Sequence, residues 1–298
     1  MFTYKIYGIT VESEIAIEEL ISAEDITKTD ASIYFGPVNQ KINNAVYEDD
    51  NIKYSKNEFY LHIKGIADFY VSDGTKIVVE LENESILVQA KVFLLGSCLG
   101  ILLAQRKTIA IHGGAVVVGG NSIIITGNTG AGKSTLTCAF RKEGYKFLAD
   151  DVVALGEKEK GNIIAFPAFP QQKLCKDAIE KMGYKTEELV LIDEKREKYS
   201  IPLNNHFLME AVSLKAIYEL NSVDEDLVKL EELFGTNKFN TILKNIYRIE
   251  TIRLDDFDPV YFKKCVEIAK SIKVYKLSRP KGKFTVDEQI KLIKASLC

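Results

Sequence analysis

Hydrophobic and polar residues alternate through the first 80 residues in the manner of β-strands. Runs such as "YKIYGITV", "ASIYFG" and "EFYLHIKGIADFYVSDG" are rich in aromatic and β-branched residues, and Gly, Asp and Asn interrupt them. A period of two places alternate side chains on one face of a strand, so these runs predict half-buried strands. We therefore expect a smaller β-rich N-terminal domain over residues 1–85.

The hydrophobic period lengthens after residue 84. Val88, Val92, Leu95 and Leu99 recur at helical spacing within the most apolar segment of the chain. Two polar residues interrupt this segment and strand-like runs follow it directly, so it predicts a buried helix and not a membrane span. We expect this helix to lead into a second domain over residues 86–298.

Strands and helices alternate along this second part. The runs "AVVV" and "SIIIT", separated by "GGN", predict an antiparallel hairpin, and "STLTCAFRKEG" predicts a short helix that ends at Gly144. A buried strand is predicted in "YKFLA". Later helices are predicted in "CKDAIEKMG", "DPVYFKKCVEIAKSI" and "DEQIKLIKASL", and later strands in "KYSIPL" and "VYKLSR". The alternation predicts an α/β fold.

The composition narrows the range of partners. The chain has 298 residues, of which 46% are apolar and 27% are charged, as in ordinary soluble proteins. A net charge of −3 gives no overall attraction to nucleic acid or to anionic membranes, so we expect neither partner. The five cysteines form no C-x-x-C pair, and no signal peptide is evident. Reduced thiols in a cytoplasmic protein are the simplest interpretation.

The segment "ITGNTGAGKSTL" carries the first chemical signal. Gly127, Gly132, Lys133 and Ser134 match the pattern G-x-x-x-x-G-K-[ST], between an apolar strand and a helix. Glycines let backbone N–H groups approach phosphate oxygens, the lysine contacts the β- and γ-phosphates, and the hydroxyl binds Mg²⁺. We therefore predict ATP, or another nucleoside triphosphate, and Mg²⁺ as cofactors. The predicted nucleotide-binding residues are Gly127, Asn128, Thr129, Gly130, Ala131, Gly132, Lys133, Ser134 and Thr135.

Two adjacent carboxylates follow the loop closely. Asp150 and Asp151 end the strand that comes after the short helix. In a right-handed βαβ unit the two strands are parallel neighbours, and their carboxyl ends open on the edge where ligands bind. One carboxylate could bind Mg²⁺ together with Ser134, and the other could accept a proton from an attacking hydroxyl. Which aspartate has which role stays open, because neighbouring strand residues point to opposite faces.

Several weaker candidates lie elsewhere in the second domain. His112, in "IHGG", is either a structural histidine or a contact to a carboxylate or phosphate. Arg196 and Lys198 lie in a charged run that is either solvated or neutralises transferred phosphate. Lys173 is a further candidate for phosphate or peptide contact. The basic run at 279–283 is either a surface loop or the border of a nucleotide or peptide groove.

The order and spacing of these motifs resemble the catalytic domain of HPr kinase/phosphorylase. A His-Gly strand, a phosphate loop and an Ala-Asp-Asp strand end succeed one another over residues 110–155. The resemblance implies a P-loop kinase core with a mixed sheet, similar to phosphoenolpyruvate carboxykinase, and phosphorylation of a serine hydroxyl. It also implies catalytic roles for His112, Lys133, Asp150 and Asp151. The family usually has Ile and Glu at the positions of Ala131 and Thr135, and its glycine- and arginine-rich C-terminal signature is not visible here.

Other segments resemble the HPr-kinase-like kinases of modified-peptide clusters, including those of lasso peptides. The resemblance lies in "YKIYGITVESEIAIEEL", "FPAFPQQKLCKDAIEKMGY" and "KREKYSIPL". It implies a precursor peptide as partner, with a serine acceptor that is often the C-terminal residue. Two alternatives stay open: an HPr serine kinase acting on a folded phosphocarrier, and a nucleotide-binding switch or ATPase that phosphorylates nothing. The sequence leaves homo-oligomerisation open as well.

Overall fold

The computed structural model describes residues 1–24, 28–159, 161–193, 197–203, 205–251 and 258–297. Within these residues the chain forms two eight-stranded sheets and one three-stranded sheet, together with α-helices. Parallel and antiparallel strand pairs occur in both large sheets. The prediction of an α/β fold with a mixed sheet and a β-rich N-terminal part is confirmed.

The first sheet contains the strands that the alternating pattern predicts. Along the middle strand Ala67–Ser72, Ala67, Phe69 and Val71 are buried and alternate with partly exposed residues. The strands are Phe2–Ile6 (β1), Ile9–Ser13 (β2), Ala31–Phe35 (β3), Tyr47–Glu48 (β4), Ile52–Tyr54 (β5), Glu58–Ile63 (β6), Ala67–Ser72 (β7) and Lys76–Leu81 (β8). Their order in the sheet is β1-β2-β3-β8-β7-β6-β5-β4.

A long helical segment connects the two large sheets. It consists of a 3₁₀ turn, Glu84–Ile86, then Leu87–Phe93 (α1), a wide π turn at Leu94–Cys98, and Leu99–Gln105 (α2). By length and composition these 22 residues could cross a membrane, but 61% of their most apolar window is buried within the protein. This agrees with the predicted buried helix. The helix and both large sheets share one hydrophobic core, so the domain division at residue 85 stays a prediction.

The remaining strands form the second large sheet and the small one. They are Ala110–Val118 (β9), Asn121–Thr126 (β10), Lys146–Ala149 (β11), Val152–Glu159 (β12), Asn162–Ala165 (β13), Gln171–Cys175 (β14), Val190–Asp193 (β15), Lys198–Pro202 (β16), Val212–Val223 (β17), Lys229–Glu232 (β18) and Lys273–Pro280 (β19). The large sheet has the order β10-β9-β12-β13-β17-β19-β18, with β11 also paired to β9. Because β10 pairs with β17 as well, five of these strands close into a ring. The small sheet has the order β14-β16-β15.

The hairpin before the phosphate loop is confirmed, but the expected strand neighbours are not. β9 and β10 pair antiparallel in register from Val118↔Asn121 to Gly113↔Thr126. β11 pairs with the other edge of β9 and is not the neighbour of β10, so that prediction is wrong. The hairpin strand β9 occupies the place between them. Since β10 and β11 are both antiparallel to β9, they still run parallel and end on the same side of the sheet.

After β10 the described chain contains five α-helices, and capping residues mark two of their ends. The helices are Lys133–Lys142 (α3), Lys176–Lys181 (α4), Gly235–Lys244 (α5), Pro259–Ser271 (α6) and Val286–Leu297 (α7). Gly144 follows α3 with a φ of +92°, which a glycine adopts without strain. Asp258 caps α6 by accepting a hydrogen bond from the Val260 N–H at 2.9 Å. Asp255 and Asp256, which precede this helix in the sequence and whose charge would favour its N-terminus, lie outside the described residues.

Candidate active site

The phosphate loop joins β10 to the N-terminus of α3. Gly127 has a φ of +130°, and a Cβ there would lie 2.3 Å from the carbonyl oxygen of Leu220, so only glycine fits. Gly132, with a φ of +105°, is the N-cap of α3. The Nζ of Lys133 donates to the carbonyl oxygens of Gly127 at 2.7 Å and of Asn128 at 3.2 Å. The lysine therefore folds across its own loop, and the positive end of α3 lies beside it.

The other predicted loop residues divide into two groups. Asn128, Thr129, Gly130 and Thr135 line a cleft together with the glycines and Lys133. Ala131 does not: its methyl group is buried in the core, its N–H donates to the Asn128 carbonyl at 3.1 Å, and its carbonyl accepts from Arg279 at 2.8 Å. Both backbone groups of Ala131 are therefore engaged within the protein. This alanine supports the shape of the loop and does not face the cleft.

The two aspartates lie between β11 and β12, beside the end of the loop. Asp150 is buried, and its Oδ1 lies 3.4 Å from the Ser134 hydroxyl while its Oδ2 accepts from the Lys173 backbone N–H at 2.9 Å. Asp151 has a φ of +63° and lines the cleft, with its Oδ2 3.3 Å from the Lys173 Nζ. The left-handed backbone at Asp151 interrupts the alternation of a strand. Both carboxylates consequently reach the same lysine.

The surroundings move the pKa values of these two carboxyl groups in opposite directions. Burial, and then the negative charge of Asp151, raise the pKa of Asp150 from its ordinary 3.8 to about 7. For Asp151 burial also acts to raise the pKa, but the positive charges of Lys173 and Lys198 outweigh it, and the pKa is lowered. Asp151 is therefore the more firmly ionised of the two. A pair whose environments separate its pKa values is typical of acid–base sites.

The small sheet supplies the positive charge. Lys173 lies on β14, is buried, and has a raised pKa because the two aspartates outweigh the opposing effect of its burial. Lys198 lies on β16, opposite Cys175 in the antiparallel register, and lines the same cleft. Both weaker lysine candidates from the sequence are thus brought to the site. Arg196 lies outside the described residues.

His112 is placed against the backbone of the aspartate pair. Its Nδ1 lies 3.1 Å from the Asp151 carbonyl oxygen, which can only accept a hydrogen bond, so this nitrogen carries the proton. Burial, and then the charge of Lys133, lower the pKa of His112 and favour its neutral form. The Nε2 of a neutral ring protonated at Nδ1 is an acceptor. The His112 N–H donates to the Asn245 carbonyl at 2.8 Å, which fixes the strand beside the site.

A buried polar network behind the loop was not predicted. The Thr126 hydroxyl lies 2.6 Å from the His112 carbonyl oxygen and 2.9 Å from the Asn245 Oδ1. The Asn245 Nδ2 donates to the Glu219 Oε1 at 2.9 Å, and the Lys244 Nζ lies 2.8 Å from that same oxygen. Glu219 interrupts the apolar run "AIYEL" on β17. A charged residue within an apolar strand is a sequence signal that could have indicated this buried network. Asn245 follows α5, and the sequence around it did not indicate a role in the site.

The N-terminal part of the chain reaches the site through the turn between β1 and β2. Tyr7 and Gly8 form this turn with φ values of +54° and +79°, and the Tyr7 N–H donates to the Pro167 carbonyl at 2.9 Å. The phenol of Tyr7 is buried, and its pKa is raised by burial and, to a smaller extent, by the charge of Asp151. A Cβ on Gly8 would lie 2.6 Å from the Phe166 ring. The turn is therefore packed tightly against the segment that leads into β14.

One cleft of 1460 Å³ is lined by the phosphate loop apart from Ala131, and by His112, Asp151, Lys173 and Lys198. Asp150 and Tyr7 do not line it. One wall comes from the first sheet and the helical segment, through Ile63, Lys64, Ile66, Val92 and Ser97. Another comes from Lys244 and the residues after α5, and a third from the end of β19 and the start of α7. The cleft exceeds the roughly 300–1,000 Å³ of a typical small-ligand pocket.

The chain has little similarity to known proteins that bears on the function of this site. No family model matches the chain. The structure is similar to that of the Hpr(Ser) kinase/phosphatase from Coxiella burnetii, with 14% sequence identity and a TM-score of 0.32. The matched region covers 63% of this chain and 96% of that one. A likeness at this score carries no argument about activity.

Proposed function

We propose that the protein is a Mg²⁺-dependent kinase that transfers the γ-phosphate of a nucleoside triphosphate to a serine hydroxyl of a precursor peptide. The observation that carries the proposal is the position of Ser134. Its hydroxyl ends the phosphate loop 3.4 Å from Asp150, beside a second carboxylate that opens on the same cleft. The sequence resemblance to the kinases of lasso-peptide biosynthesis supports a serine acceptor and makes a C-terminal serine the first one to test.

The site offers suitable ligands for magnesium. The Ser134 hydroxyl and the Asp150 carboxylate are hard oxygen ligands, as Mg²⁺ prefers. Among the residues that the structure describes, no group of three His, Cys, Asp or Glu side chains could hold a metal alone. This fits an ion that takes its other ligands from phosphate and water. Bound there, Mg²⁺ would neutralise charge on the β- and γ-phosphates, and it would keep Asp150 ionised against the effect of burial.

We assign the role of base to Asp151. It lines the cleft, and its ion pair with Lys173 keeps the carboxylate ionised. An ionised carboxylate there accepts the hydrogen bond of the serine hydroxyl and receives its proton as the oxygen bonds to phosphorus. The γ-phosphate bond to the leaving diphosphate breaks in the same transfer. His112 positions Asp151 through its carbonyl oxygen.

Lys133 is the residue that neutralises negative charge on the transferred phosphoryl group. Its ammonium now contacts carbonyl oxygens of its own loop, and a triphosphate in the loop would draw it onto the phosphate oxygens. Burial lowers the pKa of Lys133, and the two aspartates oppose that change. The positively charged form is the one that transfer requires.

The size of the cleft favours an extended acceptor. Its 1460 Å³ leaves room beyond the nucleotide, and one wall is built by the N-terminal sheet and the helical segment. A peptide lying along this wall would bring a serine to Asp151. This is why we propose a peptide acceptor and treat a folded phosphocarrier as the alternative.

The test is transfer of labelled phosphate. The protein is incubated with γ-labelled ATP, Mg²⁺, a panel of peptides with internal or C-terminal serine, and the HPr phosphocarrier. Label on a peptide serine is the expected result. Label on the carrier alone would favour the HPr kinase alternative, and free phosphate alone would favour the ATPase alternative.

A pair of lysine variants makes the test specific to the loop. Lys133→Ala is expected to abolish transfer, because no ammonium group then stabilises the negative charge on the γ-phosphoryl group. Lys142→Ala, at the other end of α3, is the matched control and should transfer at the wild-type rate. Equal transfer by wild type and Lys133→Ala would contradict the proposed role of the loop.

A further inference from the structure

The cleft wall formed by the end of β19 and the start of α7 lies next to the phosphate loop. The Arg279 Nε, in β19, donates to the Ala131 carbonyl at 2.8 Å. The guanidinium lies 3.5 Å from where a Cβ on Gly132 would be. The wall continues along the cleft through Lys283, Phe284, Thr285, Val286 and Gln289. The wall is therefore held in a fixed position relative to the loop.

The charges of this wall are already paired. The Lys281 Nζ lies 3.1 Å from Asp224, and the Lys283 Nζ lies 3.0 Å from Asp226. Arg279 donates to backbone carbonyls. Both ion pairs lie at the solvent-exposed rim, where Asp224 and Asp226 are 82% and 95% exposed, and they leave the two lysines with little net charge to attract a second phosphate group. The wall is better suited to an uncharged ring.

The wall presents an aromatic side chain to the cleft. Phe284 lies between β19 and α7 and lines the cleft, and 52% of its surface is exposed to solvent. An exposed aromatic face stacks on nucleobases of any identity, because each base has a π-face. Phe284 therefore supplies affinity for a base without selecting one.

Gln289 offers the selective contact. It is 2% exposed and lines the same cleft, and its Nε2 donates to the Thr285 hydroxyl at 3.1 Å. Its carbonyl oxygen is buried and has no hydrogen-bond partner among the described residues. A buried acceptor without a partner is unfavourable and rare. The terminal amide torsion is soft, so the oxygen can turn toward a donor that enters the cleft.

We propose that this wall is a nucleobase site selective for adenine, in which Phe284 stacks on the base and the Gln289 carbonyl accepts a hydrogen bond from its 6-amino group. Side-chain amides pair with adenine because it presents a donor beside an acceptor, whereas guanine and hypoxanthine carry an oxygen at position 6. The inference rests on the proposed function, since the loop must hold the triphosphate.

Binding titrations with Mg²⁺ test the site without requiring turnover. The ligands are ATP, ITP, the triphosphate of purine riboside, which lacks the 6-amino group, and inorganic tripolyphosphate. We expect the wild type to bind ATP about tenfold more tightly than ITP or the purine riboside triphosphate. Tripolyphosphate should bind more weakly than any of the nucleotides. The purine riboside comparison uses the unaltered protein and does not depend on how a variant folds.

Variants assign the two contacts. Gln289→Leu should remove the preference for ATP over ITP, and Phe284→Leu should weaken both nucleotides equally while leaving tripolyphosphate unchanged. Phe234→Leu is the matched control, since Phe234 is 70% exposed and is not part of the cleft lining; it should bind like wild type. Equal binding of ATP, ITP and tripolyphosphate by the wild type would contradict the proposed base site but not the proposed function. Binding of none of the ligands would overturn the proposed function with it.

Discussion

Replacing Asp150 with Asn is expected to stabilise the fold while it removes activity. Asp150 is 7% exposed, and burial together with the charge of Asp151 raises its pKa to about 7. An asparagine keeps a carbonyl oxygen for the Lys173 N–H and never ionises. The variant therefore retains the buried hydrogen bond without the buried charge.

The pH dependence of this gain follows from the direction of the shift. A group whose pKa is raised on folding contributes stability that is full below its ordinary value and is lost as the pH rises through the folded value. For Asp150 the loss runs from about pH 4 to about pH 7. A shift of roughly three units at about 1.4 kcal/mol per unit gives an upper bound of about 4 kcal/mol at pH 8. Between pH 5 and pH 8 the advantage of the asparagine should grow by roughly 2–3 kcal/mol.

Urea unfolding at pH 5 and at pH 8 measures this difference directly. The free energies of unfolding of wild type and Asp150→Asn are compared at each pH, so that effects of the substitution that do not depend on pH cancel. Asp224→Asn is the matched control, because that side chain is 82% exposed and its removal should give no such trend. An advantage of Asp150→Asn that stays constant or shrinks toward pH 8 would refute the burial argument.

Two further predictions concern the groups that hold the site together. Lys173→Met should lower the free energy of unfolding by about 3 kcal/mol at pH 8, because Asp151 loses its partner in a buried ion pair, and by less at pH 5, where that aspartate can protonate. An equal loss at both pH values in urea unfolding would contradict this. Gly8→Ala should cost more than the about 1–2 kcal/mol of left-handed strain, since its Cβ would meet the Phe166 ring. Gly120→Ala, with a similar φ of +78° and open space around it, should show the strain alone, and equal losses in the two variants would argue against tight packing of the first turn.

The local part of the site was predictable because one continuous stretch contains it. The hairpin, the phosphate loop, α3 and the two aspartates all lie within residues 110–155. Short-range turn and capping chemistry fixes most of their geometry. Asn245 and Glu219 come from more distant segments, and their contacts with Thr126 depend on the closure of the ring of strands. No local pattern carries that information.

The roles of the two aspartates were undecided for a related reason. Strand alternation predicts opposite orientations, but Asp151 adopts a left-handed backbone. That conformation coincides with long-range bonds: the Asp151 carbonyl accepts from the His112 ring and from the Gly113 N–H at 3.1 Å. Likewise, β9 separates β10 from β11 because the hairpin folds into the sheet. In both cases tertiary hydrogen bonds outweigh the local rule.

The central claim is that a nucleotide in the loop and an acceptor hydroxyl meet at Asp151. The most direct measurement compares wild type with Asp151→Asn in a single turnover from γ-labelled ATP to a serine peptide, together with the affinity of each protein for ATP. We predict unchanged ATP affinity and transfer that is slower by at least about 10²-fold. Transfer at the wild-type rate by Asp151→Asn, with the same ATP affinity, would contradict the account.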